Sequence, residues 1–216
     1  GVRIEVMPDE VTASERIIKT VSCLGFADAK PEDPLFKEAF AVGKALASAG
    51  YVVAQGGGPG IMRGTSEGAK AGGGKSVAVT FYPKDVANFE GRDQNNPMDE
   101  EIKTSNYLER TLKLLEVGQA YVIFKGGTGT ISEFGMAWGL ARLYFGHHKP
   151  LILYGKFWEN IIAAFVANMR IRPEELQVYR VVNSPEEVIK ALELFEEVLK
   201  HDTSHAFNPA EKAFEM

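Results

Sequence analysis

The chain is expected to fold as a single α/β domain in which a mostly parallel sheet is flanked by helices. Two stretches carry that expectation. Val122 to Phe124 ends an apolar run that enters Gly126-Gly127-Thr128-Gly129-Thr130, with Glu133 three residues further on. Tyr51 to Gln55 is a β-like run entering Gly56-Gly57-Gly58-Pro59-Gly60, after which Ile61 to Ala71 reads as a helix. Gly72-Gly73-Gly74 stops that helix and Val77 to Phe81 resumes as a strand, so the segment is a βαβ unit with a right-handed crossover. A length of 216 residues suits one sizeable core.

The remaining elements follow in order. Residues 1–16 read as an N-terminal arm, 17–200 as the folded domain and 201–216 as a C-terminal tail. Ile17 to Gly25 is the first core strand and leads through Gly25-Phe26-Ala27 into a loop framed by Pro31 and Pro34. Phe36, Phe40, Val42 and Leu46 recur near helical spacing over Leu35 to Ala49, which ends at Gly50. Pro83 to Pro97 turns polar without periodicity and is expected to be an exposed loop able to close over a ligand. Ile102, Leu108, Leu112 and Leu115 predict a helix over Glu101 to Val117 carrying Arg110, followed by a strand over Ala120 to Phe124. A helix beginning near Thr130, a strand over Leu151 to Tyr154, a helix over Phe157 to Met169 and a strand over Val178 to Val182 complete the alternation. Ser184-Pro185-Glu186-Glu187 starts the last helix, with Ser184 as N-cap, proline in the first turn and acids at the positive dipole end.

Glycines let a backbone approach a ligand without a Cβ, and a helix N-terminus presents free amides at the positive end of a dipole. Gly57, Gly58, Gly60 and Met62 from one loop, and Gly126, Gly127, Thr128, Gly129 and Thr130 from the other, are therefore the candidate phosphate-binding residues. The alternative for each loop is a tight strand-to-helix turn and nothing more. Glu133 lies about one turn into its helix, so it faces either the loop's ligand or only the helix dipole. Arg110 either enters the site, where its donor fork suits a phosphate or a base, or pairs at the surface with Glu109 or Glu116. Arg63 and Lys125 are supplementary anion contacts, whereas Met136, Trp138 and Leu140 read as core or interface. The first loop follows the second strand and lacks the GxGxxG register, which argues against a dinucleotide.

A net charge of −5 without a basic stripe disfavours long nucleic acid and favours a nucleoside monophosphate or similar phosphorylated small molecule. Cys23 is the one cysteine and reads as core; without CxxC or HExxH spacing no metal site is expected, and His147-His148 reads as loop decoration. No run approaches membrane-spanning length and no basic-then-apolar leader is seen, so the expectation is a cytoplasmic protein with no membrane partner.

Gly56-Gly57-Gly58-Pro59-Gly60-Ile61-Met62, Arg110, and Gly126 to Glu133 together resemble the LOG-like proteins, often labelled possible lysine decarboxylases, over roughly Ser22 to Leu192. The resemblance implies a Rossmann-like fold and a homodimer with sites near its interface. It also implies hydrolysis of the N-glycosidic bond in a nucleoside 5′-monophosphate, releasing free base and ribose 5-phosphate, with Arg110 and Glu133 catalytic and no cofactor. Some members act on cytokinin riboside monophosphates. Lys125 stands in place of a usual proline, Thr111 in place of a frequent lysine, and Gly25-Phe26-Ala27 in place of a Gly-Ser pair; these leave the base preference open. No lysine sits in a pyridoxal-phosphate context, so decarboxylation is rejected. The rival reading is a non-catalytic carrier of a nucleotide or of molybdenum cofactor, which the Ser132-Glu133 ending also fits. A third is a silent regulatory relative. Retention of Arg110 and the Phe157-Trp158 helix followed by Val181 to Leu192 favour the hydrolase.

Overall fold

Seven strands, all parallel, form one sheet in the order β4-β3-β2-β1-β5-β6-β7 in the computed structural model, which describes residues 15–83 and 91–201. They are β1 (Thr20–Leu24), β2 (Val52–Gln55), β3 (Ser76–Phe81), β4 (Glu100–Thr104), β5 (Ala120–Ile123), β6 (Leu151–Tyr154) and β7 (Tyr179–Val182). The helices between and after them are α1 (Pro34–Ser48), α2 (Ile61–Ala71), α3 (Tyr107–Val117), α4 (Thr128–Leu143), α5 (Phe157–Asn168) and α6 (Pro185–His201), with a 3-10 turn at Pro173–Leu176. Most of the arm and tail expected at the two ends, and the middle of the Pro83 to Pro97 loop, lie outside the described residues.

Both faces of the sheet are covered, which is why β5 and β6 read as unbroken apolar runs rather than alternating ones. Val122, Phe124, Ile152 and Tyr154 turn toward α1, α2 and α6, where Val42, Leu46, Ile61 and Leu192 meet them. Tyr121, Ile123, Leu151 and Leu153 turn the other way, toward Leu114 and Leu115 of α3, Phe134 and Trp138 of α4, and Trp158 of α5. The result is a three-layer Rossmann-like fold. Cys23 is fully buried in the first core, and burial pushes its thiol up to about 12. The native protein is expected to leave an aromatic disulfide reagent unreacted until denaturant is added; one rapid equivalent in native buffer would contradict this placement.

Most boundaries follow the sequence closely, and α2 and β6 coincide with the expected spans. Ser184 receives the Glu187 amide at 3.2 Å and Glu187 returns a carboxylate to the Asn183 amide at 2.6 Å, closing a cap on α6. Three expectations need correction. The helix expected over Glu101 to Val117 is two elements: Glu100–Thr104 pairs with β3 as an edge strand, and the helix begins only at Tyr107. Asn106 caps it, its side-chain oxygen accepting from the Glu109 amide at 2.9 Å. The first strand begins at Thr20, and before it the Ile17 and Ile18 amides donate to the Glu196 carboxylate, at 2.5 and 2.9 Å, rather than to a neighbouring strand. Within the loop expected to be exposed, Asn96 is buried: its amide donates to Gln55 Oε1 at 2.9 Å and to the Gly58 carbonyl at 3.0 Å.

Candidate functional site

The strand order places the site. From β1 the chain builds outward through β2, β3 and β4, then returns to the other side of β1 with β5, so the loops leaving β1 and β5 diverge at their C-terminal ends. An open parallel sheet has its ligand crevice at that switch point. A cavity of about 370 Å³ opens there, between Gly25, Phe26 and Ala27 after β1 and Gly127, Thr128 and Gly129 at the start of α4. Backbone hydrogen bonds knit the floor: the Phe26 amide donates to the Lys125 carbonyl and the Ile61 amide to the Phe26 carbonyl, each at 3.0 Å.

Gly127 caps α4 without a side-chain hydrogen bond, and the first helical bond back to it comes from the Ile131 amide at 3.0 Å. The amides of the first turn, including Thr128, Gly129 and Thr130, therefore have no intrahelical partner. This corrects the expected start near Thr130 by two residues and brings Glu133 deeper into the helix, still facing the cavity. Gly126 does not line the cavity; a Cβ there would meet Thr130 Oγ1 at 2.0 Å, so its glycine is what lets Thr130 turn inward.

The other glycine loop contributes differently. Met62 lines the cavity, but Gly57, Gly58 and Gly60 do not. The Gly57 amide is engaged by Gln55 Oε1 at 2.6 Å, and the Gly58 amide points at Met62 Sδ at 3.4 Å. Gly60 has φ +67 and a Cβ would fall 2.3 Å from the Phe26 carbonyl oxygen, so this residue seals the contact between the loops. Gly56 makes room for two groups that do face the cavity: a Cβ there would come 2.7 Å from Met62 Sδ and 3.1 Å from one Arg110 terminal nitrogen.

Arg110 and Glu133 are the buried charges of the site, 8 % and 6 % exposed, and both line the cavity. Arg110 Nη2 stands 3.8 Å from Glu133 Oε1, close enough for an ion pair and too far for a hydrogen bond. The guanidinium lies against a pair of rings in edge contact with each other, 5.8 Å from the centre of Phe81 and 5.6 Å from that of Tyr107. Its Nε is buried with no hydrogen-bond partner among the described residues. Burial pushes the Glu133 carboxyl up to about 7, against the opposing pull of Arg110. The pair thus combines a held cation with an acid that changes charge near neutrality.

Surface pairing of Arg110 with Glu109 or Glu116 is not seen: Glu109 receives the Ser105 amide and Glu116 pairs with Lys113. Arg63 is engaged by Glu67 at 2.7 Å and Lys125 lies over Phe157, and neither lines the cavity. Trp138 is buried against Phe134 and donates its indole proton to the Glu175 carbonyl, while Met136 is exposed. His148 stacks on Phe145 and accepts from the Gly146 amide. Sequence reasoning missed Tyr107 as a cavity residue; its position three before Arg110, on the same helical face, was the available signal. Among the described residues no helix is long and apolar enough to cross a membrane.

Residues 18–187 match the model of the SLOG cluster4 family. A cytokinin riboside 5′-monophosphate phosphoribohydrolase of Mycobacterium marinum is 32 % identical over 135 residues, 62 % of this chain and 69 % of that protein. An uncharacterized protein of Archaeoglobus fulgidus is 28 % identical over 124 residues, 57 % of this chain and 78 % of that protein. Among solved structures, the molybdenum cofactor binding protein from the phototrophic bacterium Rippkaea orientalis superposes with a TM-score of 0.61 at 22 % identity, covering 82 % of this chain and 97 % of that one. At that identity the likeness is one of fold.

Proposed function

The chain belongs to the SLOG cluster4 family, a LOG-like family, and on that premise we propose that it is a nucleoside 5′-monophosphate phosphoribohydrolase. The observation that carries the reading is the buried Arg110–Glu133 pair at the sheet's switch point, beside the free amides of α4. The amides and the Thr128 and Thr130 side chains hold the 5′-phosphate. Arg110, kept in place by the rings of Phe81 and Tyr107, presents the end of its guanidinium to the ligand. The bond between C1′ and the base nitrogen breaks with its electron pair leaving on the base, which takes up a proton. Water adds to C1′ and gives a proton to ionised Glu133, whose charge also opposes the positive charge building on the ribose. A carboxyl titrating near 7 is matched to that work at neutral pH.

The test is chromatographic. Purified protein is incubated with AMP, other nucleoside monophosphates and isopentenyl-adenosine monophosphate, and free base and ribose 5-phosphate are measured. Release that requires the 5′-phosphate supports the hydrolase, and the substrate ranking sets its base preference. A phosphorylated ligand that is retained stoichiometrically and unchanged points instead to a carrier of a nucleotide or of molybdenum cofactor.

The proposed partner is a second copy of the chain on the outer face of α4. That helix is apolar nearly all round, with Ile131, Met136 and Leu143 exposed and Gly135 and Gly139 leaving open space, a pattern suited to a helix buried on both sides. Light scattering is expected to give about twice the 23.7 kDa chain mass, and Met136→Glu to shift it toward one chain. A wild-type protein of single-chain mass at micromolar concentration would remove this part of the proposal.

A further inference from the structure

Tyr107 lines the cavity with a hydroxyl that the proposed chemistry does not use. Its ring touches Arg110, and its hydroxyl reaches across from α3 to the first turn of α4. The hydroxyl lies 3.4 Å from Ser132 Oγ, and a Cβ on Gly129 would come within 3.3 Å of it. Cβ directions on a helix lean toward its N-terminus, so this oxygen stands beside the free amides of α4 rather than behind them. Ser132 Oγ already gives its proton to the Gly129 carbonyl at 2.7 Å. The long Tyr107–Ser132 contact therefore leaves the phenolic proton weakly held, since O–H···O bonds normally close to about 2.5–3.0 Å. Arg110, itself more than nine-tenths buried and held to Glu133 only at 3.8 Å, lines the same cavity and independently marks the place of a ligand.

We infer that Tyr107 is a specificity-determining residue whose hydroxyl donates to the phosphate of a phosphorylated sugar or nucleotide seated at the first turn of α4. The inference rests on the phosphate-binding reading of this site and deepens it. The amides of α4 supply donors that any anion can use. Tyr107 adds one from α3, beside those amides and at a position set by the packing of α3 on α4, so a phosphate that engages both is held and a ligand without a phosphate gains nothing from it. The ring has a separate duty: with Phe81 it restrains the guanidinium of Arg110. The two duties separate by substitution, because Tyr107→Phe removes only the hydroxyl whereas Tyr107→Leu removes the ring as well.

The probe is ribose 5-phosphate, which is common to every nucleoside monophosphate and so does not depend on the preferred base. Its dissociation constant is measured calorimetrically on the full chain, with thermal midpoints taken alongside. Tyr107 is 39 % exposed, so Tyr107→Phe is expected to melt with the wild type. It should weaken ribose 5-phosphate about tenfold, the loss of one hydrogen bond to a charged group. If the protein turns over nucleotides, the same variant raises KM about tenfold and leaves kcat within about twofold, a split that a merely structural role would not produce. Tyr107→Leu should lower both binding and kcat. Unchanged ribose 5-phosphate affinity in Tyr107→Phe overturns the inference, as does a wild type that does not bind the probe. Absence of base release with the tenfold loss intact defeats the hydrolase alone and leaves the role of Tyr107 standing.

Discussion

Glu133→Gln is expected to lower the release of base at least about 100-fold, the range typical for removing a positioned proton acceptor, while leaving the fold intact. Glutamine keeps the shape of the protonated acid and removes the charge. Base release by the wild type should rise with pH through an apparent value near 7 as Glu133 ionises, and the variant should show no such rise. An unchanged rate in Glu133→Gln would end the catalytic assignment.

The same substitution should stabilise the protein, and the sign follows from proton linkage. Burial raises the Glu133 carboxyl from an ordinary 4.5 to about 7, so between those values the folded state keeps a proton that the unfolded state has released. Stability of the wild type therefore falls as pH rises through that window and is level above it. The shift corresponds to at most about 3 kcal/mol, which Glu133→Gln does not lose because it has no proton to give up. Urea denaturation at about pH 5 and about pH 8 measures it: the two proteins should differ little at the lower pH, and the variant should be more stable at the higher one. A wild type that gains on the variant as pH rises would mean that Arg110 outweighs burial. Here the geometry of catalysis and that of stability pull against each other, because the carboxylate is kept where water would serve it better.

Gly68→Ala is expected to cost about 3 kcal/mol or more, among the largest effects of a single added methyl in this chain. Helix α2 crosses α1 so closely that a Cβ on Gly68 would lie 2.0 Å from the Phe40 carbonyl oxygen and 2.8 Å from the Lys44 amide nitrogen. Gly43 on α1 is under the same constraint, 2.2 Å from the Thr65 carbonyl oxygen. Alanine is the better helix former by about 1 kcal/mol, so propensity alone predicts a gain. Backbone atoms cannot step aside as a flexible side chain can, and the clash wins. Chemical denaturation reads the difference; a variant as stable as the wild type would show that the two helices separate freely. The consequence reaches the site, since α2 begins at Gly60 and Ile61, which hold the Phe26 carbonyl under the cavity.

Local signals and tertiary ones divide along these lines. Helix α2 was legible to the residue because Gly60 and Gly72 to Gly74 punctuate it, and the buried strand β6 because Pro150 and Gly155 bound an unbroken apolar run. Strand β4 was not. Glu100-Glu101-Ile102-Lys103-Thr104 has the charged pattern of a helix surface, and it becomes a strand because β3 offers it a partner on one side while its charges suit an unpaired edge on the other. The identity of the second loop and its carboxylate stood in the motif, but the division of labour between the loops did not. Gly57 and Gly58 turn inward to Gln55 and Met62, and this leaves α4 to present the free amides.

The sequence by itself determined the alternation of strands and helices, the two glycine loops and the pairing of Arg110 with Glu133 as candidates, because glycine, proline and hydrophobic periodicity act over a few residues. Only the tertiary structure decided that Arg110 is buried against Phe81 and Tyr107, that Gly25 to Ala27 form the opposite wall, and that burial raises the Glu133 carboxyl to about 7. Those properties depend on how much water is excluded and which side chains meet across the sheet's switch point. Desolvation and packing are sums over residues distant in the chain, and no local pattern records them.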